Sequence, residues 1–448
     1  MITGIGGAGG GLLATGGFRK PTTSGSAGFP GLRGVPARVR ALAALALLMP
    51  ALLYAVTGAA VTDAREALRA VGHEEGPTVA TMADVRLALA DMDAEVAAVL
   101  LTGRESGWLC DPGQDSSCVR EPPRHRYDIR REDAQRAVLQ ASRLAGGDPV
   151  RLRTVQAVLD GLHRYEQHVQ AAMRDGARTR HAYGPLPPGA LREYRAAHEV
   201  MAKDLMPKAG NLALDWTAEL DTVYEGERSE IGAGRAGVLA LGALAVAVLV
   251  LLQLYLGVRF RRVLNLGLAG ATLATLALTA AGASLLATER DHLRAAKEGG
   301  ADPALALARA QADARTLHAD RSRSLFDPGR ADLYGQAYRE RSRTVLAGPG
   351  LPSGKRLLDH YAGYPGNAGA AAARAQVDPE WPQLPHPLFR EHEQALDGRI
   401  GHHRYVTGRA VRDGERALAA WGWIRPLSLL AIAALVIGGV WPRLAEYR

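Results

Sequence analysis

Four stretches of the 448-residue chain stay apolar long enough to cross a bilayer, which takes roughly 20 residues of helix. They cover about 41–61, 236–258, 263–287 and 424–441. Pro50 falls inside the first, where a membrane helix tolerates it. Trp421, Trp423 and Trp441 flank the fourth, at the levels where interfacial aromatics sit. Between the spans the pattern changes to a helical seam. Val85, Leu89, Met92, Val96 and Val99 recur every three or four residues. So do Leu152, Val155, Leu159 and Leu162, continuing to Val169 and Met173 past an interruption at Glu166. Leu191, Tyr194, His198, Met201 and Leu205 make a third such row, and a weaker helix fits about 129–145. A shorter seam, Leu307, Ala310, Ala314 and Leu317, follows the third span, and another helical stretch through about 389–420 runs into the fourth. Seams of this period pack helices side by side. Pro112, Pro122–Pro123 and the Pro185–Pro188 cluster mark connections, as does a Gly/Pro/Ala-rich stretch around 347–387.

The predicted fold is therefore all-α: four transmembrane helices with two extracytoplasmic helical bundle domains. Its order is a Gly-rich basic cytoplasmic tail (1–40), the first span, an outer bundle (62–233), the second span, a basic turn (259–262), the third span, a second outer helical domain (288–420), the fourth span and a short tail (442–448). The first apolar stretch lies behind a long tail and lacks a compact signal-peptide core, so it reads as an uncleaved anchor.

Charge fixes the orientation. The net charge of +8 could point to nucleic acid, but residues 62–233 carry 22 basic and 28 acidic side chains. The excess sits beside the spans instead: five basic residues and no acidic one in 1–40, and Arg259, Arg261 and Arg262 in the tight turn between the second and third spans. The positive-inside rule then places both termini and that turn in the cytoplasm of a cell-membrane protein, with lipid rather than nucleic acid as its surroundings. These three arginines are the candidate inner-face relay.

Candidate chemistry is sparse. Cys110 and Cys118, the only cysteines, could close a small loop as a disulfide in an oxidising compartment, or remain free thiols. Gly4 to Gly9 spells G-x-G-x-x-G but follows no strand, so a tail explains it better than a phosphate cradle. His386, His392, His402 and His403 gather near Glu391 and Glu393 without the spacing of a metal-binding helix motif; polar bundle faces account for them. No nucleophile elbow, P-loop or kinase motif occurs. Asn265 is the main polar residue in a span, and no carboxylate lies at the centre of one, as many ion-coupled carriers would need. No enzyme, cofactor or metal is expected.

Several short stretches resemble a known family. They are Leu89-Ala90-Asp91-Met92-Asp93-Ala94 leading to Leu101-Thr102-Gly103, Tyr194 through Met201 with Leu205-Met206-Pro207-Lys208-Ala209 after it, Asp302-Pro303 leading to Leu307–Ala310, and the ending Arg443–Arg448. The family is that of actinobacterial four-span membrane proteins that accompany a glutamate/aspartate-binding lipoprotein and a soluble Ser/Thr protein kinase. The resemblance covers roughly 40–448. It implies a signal relay, with a solute-binding lipoprotein outside and a kinase inside as partners. Arg174–Thr179 and Arg321–Ser324 depart from the family's pattern, which implies a divergent member with an altered ligand or partner. An envelope scaffold or accessory transporter subunit fits the residues almost as well, and the coiled-coil-like seams permit a homodimer.

Overall fold

The computed structural model describes residues 35–103, 123–181, 184–260, 265–347, 350–362 and 387–445. Among them every element is helical. In chain order these are α1 (Val35–Arg69), α2 (Gly76–Thr102), α3 (Pro123–Leu144), α4 (Pro149–Thr179), α5 (Pro188–Val200), α6 (Met206–Phe260), α7 (Leu266–Ala296), α8 (Asp302–Phe326), α9 (Ala331–Ala347), α10 (Pro352–Ala362) and α11 (Pro387–Ala445). Cys110, Cys118, Arg261, Arg262, His386 and the glycine-rich stretch Gly4–Gly9 lie outside the described residues, as does the side chain of Arg259.

Four rods organise the molecule. α1 continues into α2, α5 into α6, α7 into α8, and α11 stands alone, giving helices of 62, 71, 61 and 55 residues that are each apolar enough over one window to cross a membrane. At 1.5 Å per residue they run roughly 80 to 105 Å, against a hydrocarbon core of about 30 Å. The spans therefore project unbroken into the bundle. This is a multi-pass membrane protein. Its exposed large apolar side chains concentrate where lipid would lie, including Leu48, Leu251, Leu254, Leu273 and Leu430. Trp423 and Trp441 are exposed at the two ends of the fourth span, whereas Trp421 is buried against the neighbouring rods and does not serve as an interfacial anchor.

Three rods share a device that the seams do not reveal. A π-helical turn occupies Ala70–Glu75, Met201–Leu205 and Lys297–Ala301. Immediately after each, Gly76, Met206 and Asp302 donate their backbone N–H five residues back, to Val71, Met201 and Lys297. Each donor precedes a proline: Pro77, Pro207 and Pro303. Proline has no N–H and its ring crowds the carbonyl four residues back. Widening the preceding turn by one residue relieves that crowding and lets the helix continue.

One apolar core runs through the molecule, from Ala46 and Leu53 in the first span to Val96 and Tyr165 in the first outer region and Phe326 and Leu396 in the second. The helical regions that follow the first and third spans meet along α2 and α8 and share this core. The buried stripe of α4 is Val155, Val158, Leu162, Tyr165 and Val169, with Leu159 only half-buried. Tyr165, not Glu166, takes the inward position, and Glu166 accepts a hydrogen bond from Gln135 (2.8 Å).

Glycine sets two close approaches. In the membrane, Gly267 of α7 lies against Gly439 of α11 so closely that a Cβ would meet the Gly439 backbone at 2.9 Å. Such small-residue contacts are how membrane helices pack. Asn265 caps α7 by accepting from the Gly267 N–H (3.2 Å) and donates to the Gly439 carbonyl (2.6 Å), so this polar residue is structural. Above the membrane, a Cβ on Gly300 would meet Thr407 N at 2.9 Å and His403 O at 3.0 Å. Gly300→Ala should therefore prise α11 off the π turn at 297–301 and cost about 1–3 kcal/mol, as overpacking of a tight contact does. Thermal unfolding of the purified protein measures this; a melting temperature equal to wild type would refute it.

Candidate functional site

The outer bundle is built around α2, which is buried on nearly every side. Asp91 and Glu95, one helical turn apart, share a face; Asp93, two positions on from Asp91, points the other way. Burying a carboxylate in an apolar helix is costly unless it is paired, and each of the three is met by arginine.

On one side, Asp93 faces Arg323 of α8, which is fully buried. Arg323 also pairs with Asp320 of its own helix and donates from Nε to the Tyr194 hydroxyl of α5 (2.8 Å). Tyr165 of α4 donates to Asp93 (2.9 Å), and Arg341 of α9 donates to Asp320 (2.8 Å). The guanidinium joins α2, α5 and α8 directly, and Asp93 and Asp320 extend the network to α4 and α9. Burial pulls the Arg323 pKa down, but Asp93, Tyr194 and Asp320 outweigh it and hold the guanidinium charged. Nearby, Arg195 grips the buried Asp327 with two hydrogen bonds of 3.0 and 2.6 Å.

On the other side, Arg315 of α8 lies between Asp91 (2.6 Å) and Glu393 of α11, with Arg130 of α3 at 3.8 Å from Asp91. Burial pushes both carboxyls up despite Arg315, Glu393 to about 7. Arg126 of α3 reaches Glu95 (3.2 Å).

Beside the Arg323 network is a cavity of about 410 Å³, bordered by Asp93, Arg323, Arg86, His198, Arg309 and Arg341. Arg86 pairs with Asp313 (2.9 Å). Burial, reinforced by Arg323, drives His198 down to about 3, so its imidazole is neutral at physiological pH. The walls carry cationic and hydrogen-bonding groups suited to holding a charged ligand.

Two of the histidines that gather in sequence have polar partners of their own. His392 shares a hydrogen bond with Ser353 (3.2 Å), and His403 Nδ1 lies 2.9 Å from the Gly299 carbonyl. Among the described residues no three His, Cys, Asp or Glu side chains form a set that could hold an ion.

Continuous spanning rods, a helical bundle built on their extensions and a buried ionic site beside a polar cavity define a multi-pass helical membrane protein. Residues 67–225 match the family model described as the actinobacterial sensor domain. That stretch is similar to the actinobacterial sensor domain, and the similarity supports the resemblance to an actinobacterial sensor family drawn from the sequence. No curated protein and no solved structure matches the chain. The matched stretch contains Asp93, Tyr165, Tyr194 and His198, while Arg309, Asp320, Arg323 and Arg341 come from beyond it. The site thus needs both outer regions.

In the sequence, Tyr194 and His198 stand out as members of a helical seam, whereas Asp91 and Asp93 stand out only through the family resemblance and Arg323 only inside a stretch that departs from it. The physical signal was present: three carboxylates inside an otherwise apolar run over 89–101 demand buried cations, and only arginines on other helices could supply them.

Proposed function

We propose that this protein, without enzyme chemistry of its own, relays an extracytoplasmic binding event across the membrane, with both termini and the 259–262 turn inside the cell. The observation that carries the proposal is the union of α2 and α8 through the Asp93–Arg323 pair. These helices are the outward extensions of different spans, so a change at the pair acts on two rods at once. Shifts of 1–2 Å between packed helices are the usual size of such signals.

The resemblance points to amino-acid availability as the stimulus, delivered by a solute-binding lipoprotein outside and passed to a Ser/Thr kinase inside. In this topology the segments that face a kinase include the tail ahead of the first span, the turn with Arg259, Arg261 and Arg262, and the stretch after the fourth span. In this reading the kinase is the output.

Affinity purification of the tagged full chain from its native host in mild detergent, followed by mass spectrometry, tests this. The expected result is enrichment of a solute-binding lipoprotein and a kinase. Recovery of the chain alone, or with cell-envelope assembly machinery, would favour a scaffold instead.

A further inference from the structure

On the membrane side of the polar cavity lies a second one of about 370 Å³. Its walls are mostly small or apolar, among them Gly72, Pro77, Leu220, Ala304 and Leu305. Ala83 of α2 and Ala308 of α8 border both cavities, so the two chambers adjoin at a pair of methyl groups. Each volume lies within the range of small-molecule sites, about 300–1,000 Å³.

The charges in the upper chamber do not balance. Arg86, Arg323 and Arg341 each have a carboxylate partner. Arg309 has none within ion-pair distance among the described residues; its one polar contact is Thr217 Oγ1 at 3.5 Å, the outer limit of a hydrogen bond. A half-buried guanidinium lacking an anion at the edge of a cavity is suited to a carboxylate or phosphate, whose oxygens match its planar fork.

We propose that the two chambers form one site for an amphipathic organic anion, its acid group at Arg309 and Arg86 and its aliphatic tail passing Ala83 and Ala308 into the lower chamber. The tail would end beside Gly72 and Ala301, which belong to the π turns of two different rods. The Arg404–Asp84 ion pair (3.0 Å), linking α11 to α2, also lines the lower chamber. Occupancy would thus press on the junctions where two rods carry their widened turns. This use of the site rests on the relay reading above, whereas the binding itself does not.

A free fatty carboxylate and a lipid phosphate share this chemistry, and both are tested. Full-length protein in phosphatidylcholine nanodiscs is titrated with octanoate and, separately, with dihexanoyl phosphatidate; octylamine is the cationic control, and empty nanodiscs correct for partitioning. Saturable binding of at least one anion is expected, weakened at least tenfold by Arg309→Gln and less by Arg309→Lys. Ala304→Leu, which fills part of the lower chamber, should move the preferred chain length from octanoate toward butanoate. That variant guards against misreading a folding defect in Arg309→Gln. Whichever anion binds identifies the source. Uptake no greater than by empty nanodiscs, octylamine binding as tightly as octanoate, or saturable binding indifferent to both Arg309→Gln and Ala304→Leu would overturn the proposal. Binding without recruitment of any partner would instead count against the relay and leave this site standing.

Discussion

Arg323→Met should destabilise the outer bundle by roughly 3–5 kcal/mol, the loss expected when one partner of a buried ion pair is removed. Arg323 is fully buried and pairs with Asp93 and Asp320, with its Nε donated to Tyr194. Methionine would occupy much of the space but leave Asp93 with only the Tyr165 hydroxyl among these contacts, while Asp320 would keep Arg341. The larger part of the cost therefore falls on Asp93. Adding Asp93→Asn to Arg323→Met should recover part of the loss, since a neutral amide is cheaper to bury than an unpaired carboxylate. Denaturant titration followed by circular dichroism of Arg323→Met, Asp93→Asn and the double variant measures both numbers. A single variant within 1 kcal/mol of wild type, or a double variant worse than the sum of the singles, would show that the pair does not hold α2 to α8.

How much of this arrangement was legible in the sequence depends on the kind of information each residue carries. The spans were, because twenty apolar positions in a row have few other uses. So were the seams of α2 and α8, where Leu89, Met92 and Val96 and Leu307, Ala314 and Leu317 are buried as their spacing predicts. The α4 seam was legible at Val155, Leu162, Val169 and Met173, but Leu152 and Leu159 are only half-buried, Val158 takes the inward place beside Leu159, and Tyr165 rather than Glu166 carries the stripe on. What failed was information that is not local. Pro77, Pro207 and Pro303 lie inside rods that continue through them, because a proline's cost can be absorbed by a widened turn as well as by a break. The partner of Asp93 lies 230 residues away. Periodicity places a carboxylate on a buried face but cannot say which of 54 basic residues meets it. The polar cavity was invisible for the same reason: its cationic groups come from α2, α8 and α9, and the residues between them in sequence pass through the membrane twice.

One buried carboxylate at the edge of the third span has no partner among the described residues. Glu289 of α7 lies just beyond the third span and is fully buried; neither carboxyl oxygen has a hydrogen-bond partner. A Cβ on Gly414 of α11 would meet its Oε2 at 2.7 Å, and the same Cβ would meet Leu68 of α1 at 2.7 Å, so the side chain is wedged where three rods cross. Burial alone pushes its pKa up to about 8 from an ordinary 4.5. Between those two values the folded protein keeps a proton that the unfolded chain releases. Stability therefore falls as pH rises through this window, by up to about 5 kcal/mol once the folded form too must ionise. Glu289→Gln removes the titration and keeps the shape. Relative to wild type it should be near neutral at pH 4.5 and progressively more stable toward pH 8, with the difference levelling off above. Paired melting curves at pH 5, 6.5 and 8.5 decide the matter. A difference that stays constant across that range would mean that Glu289 is solvated or paired in the membrane-bound protein. A difference that grows would mean that the junction between bundle and spans carries a destabilising charge at high pH, one that any movement opening α1, α7 and α11 to water would relieve.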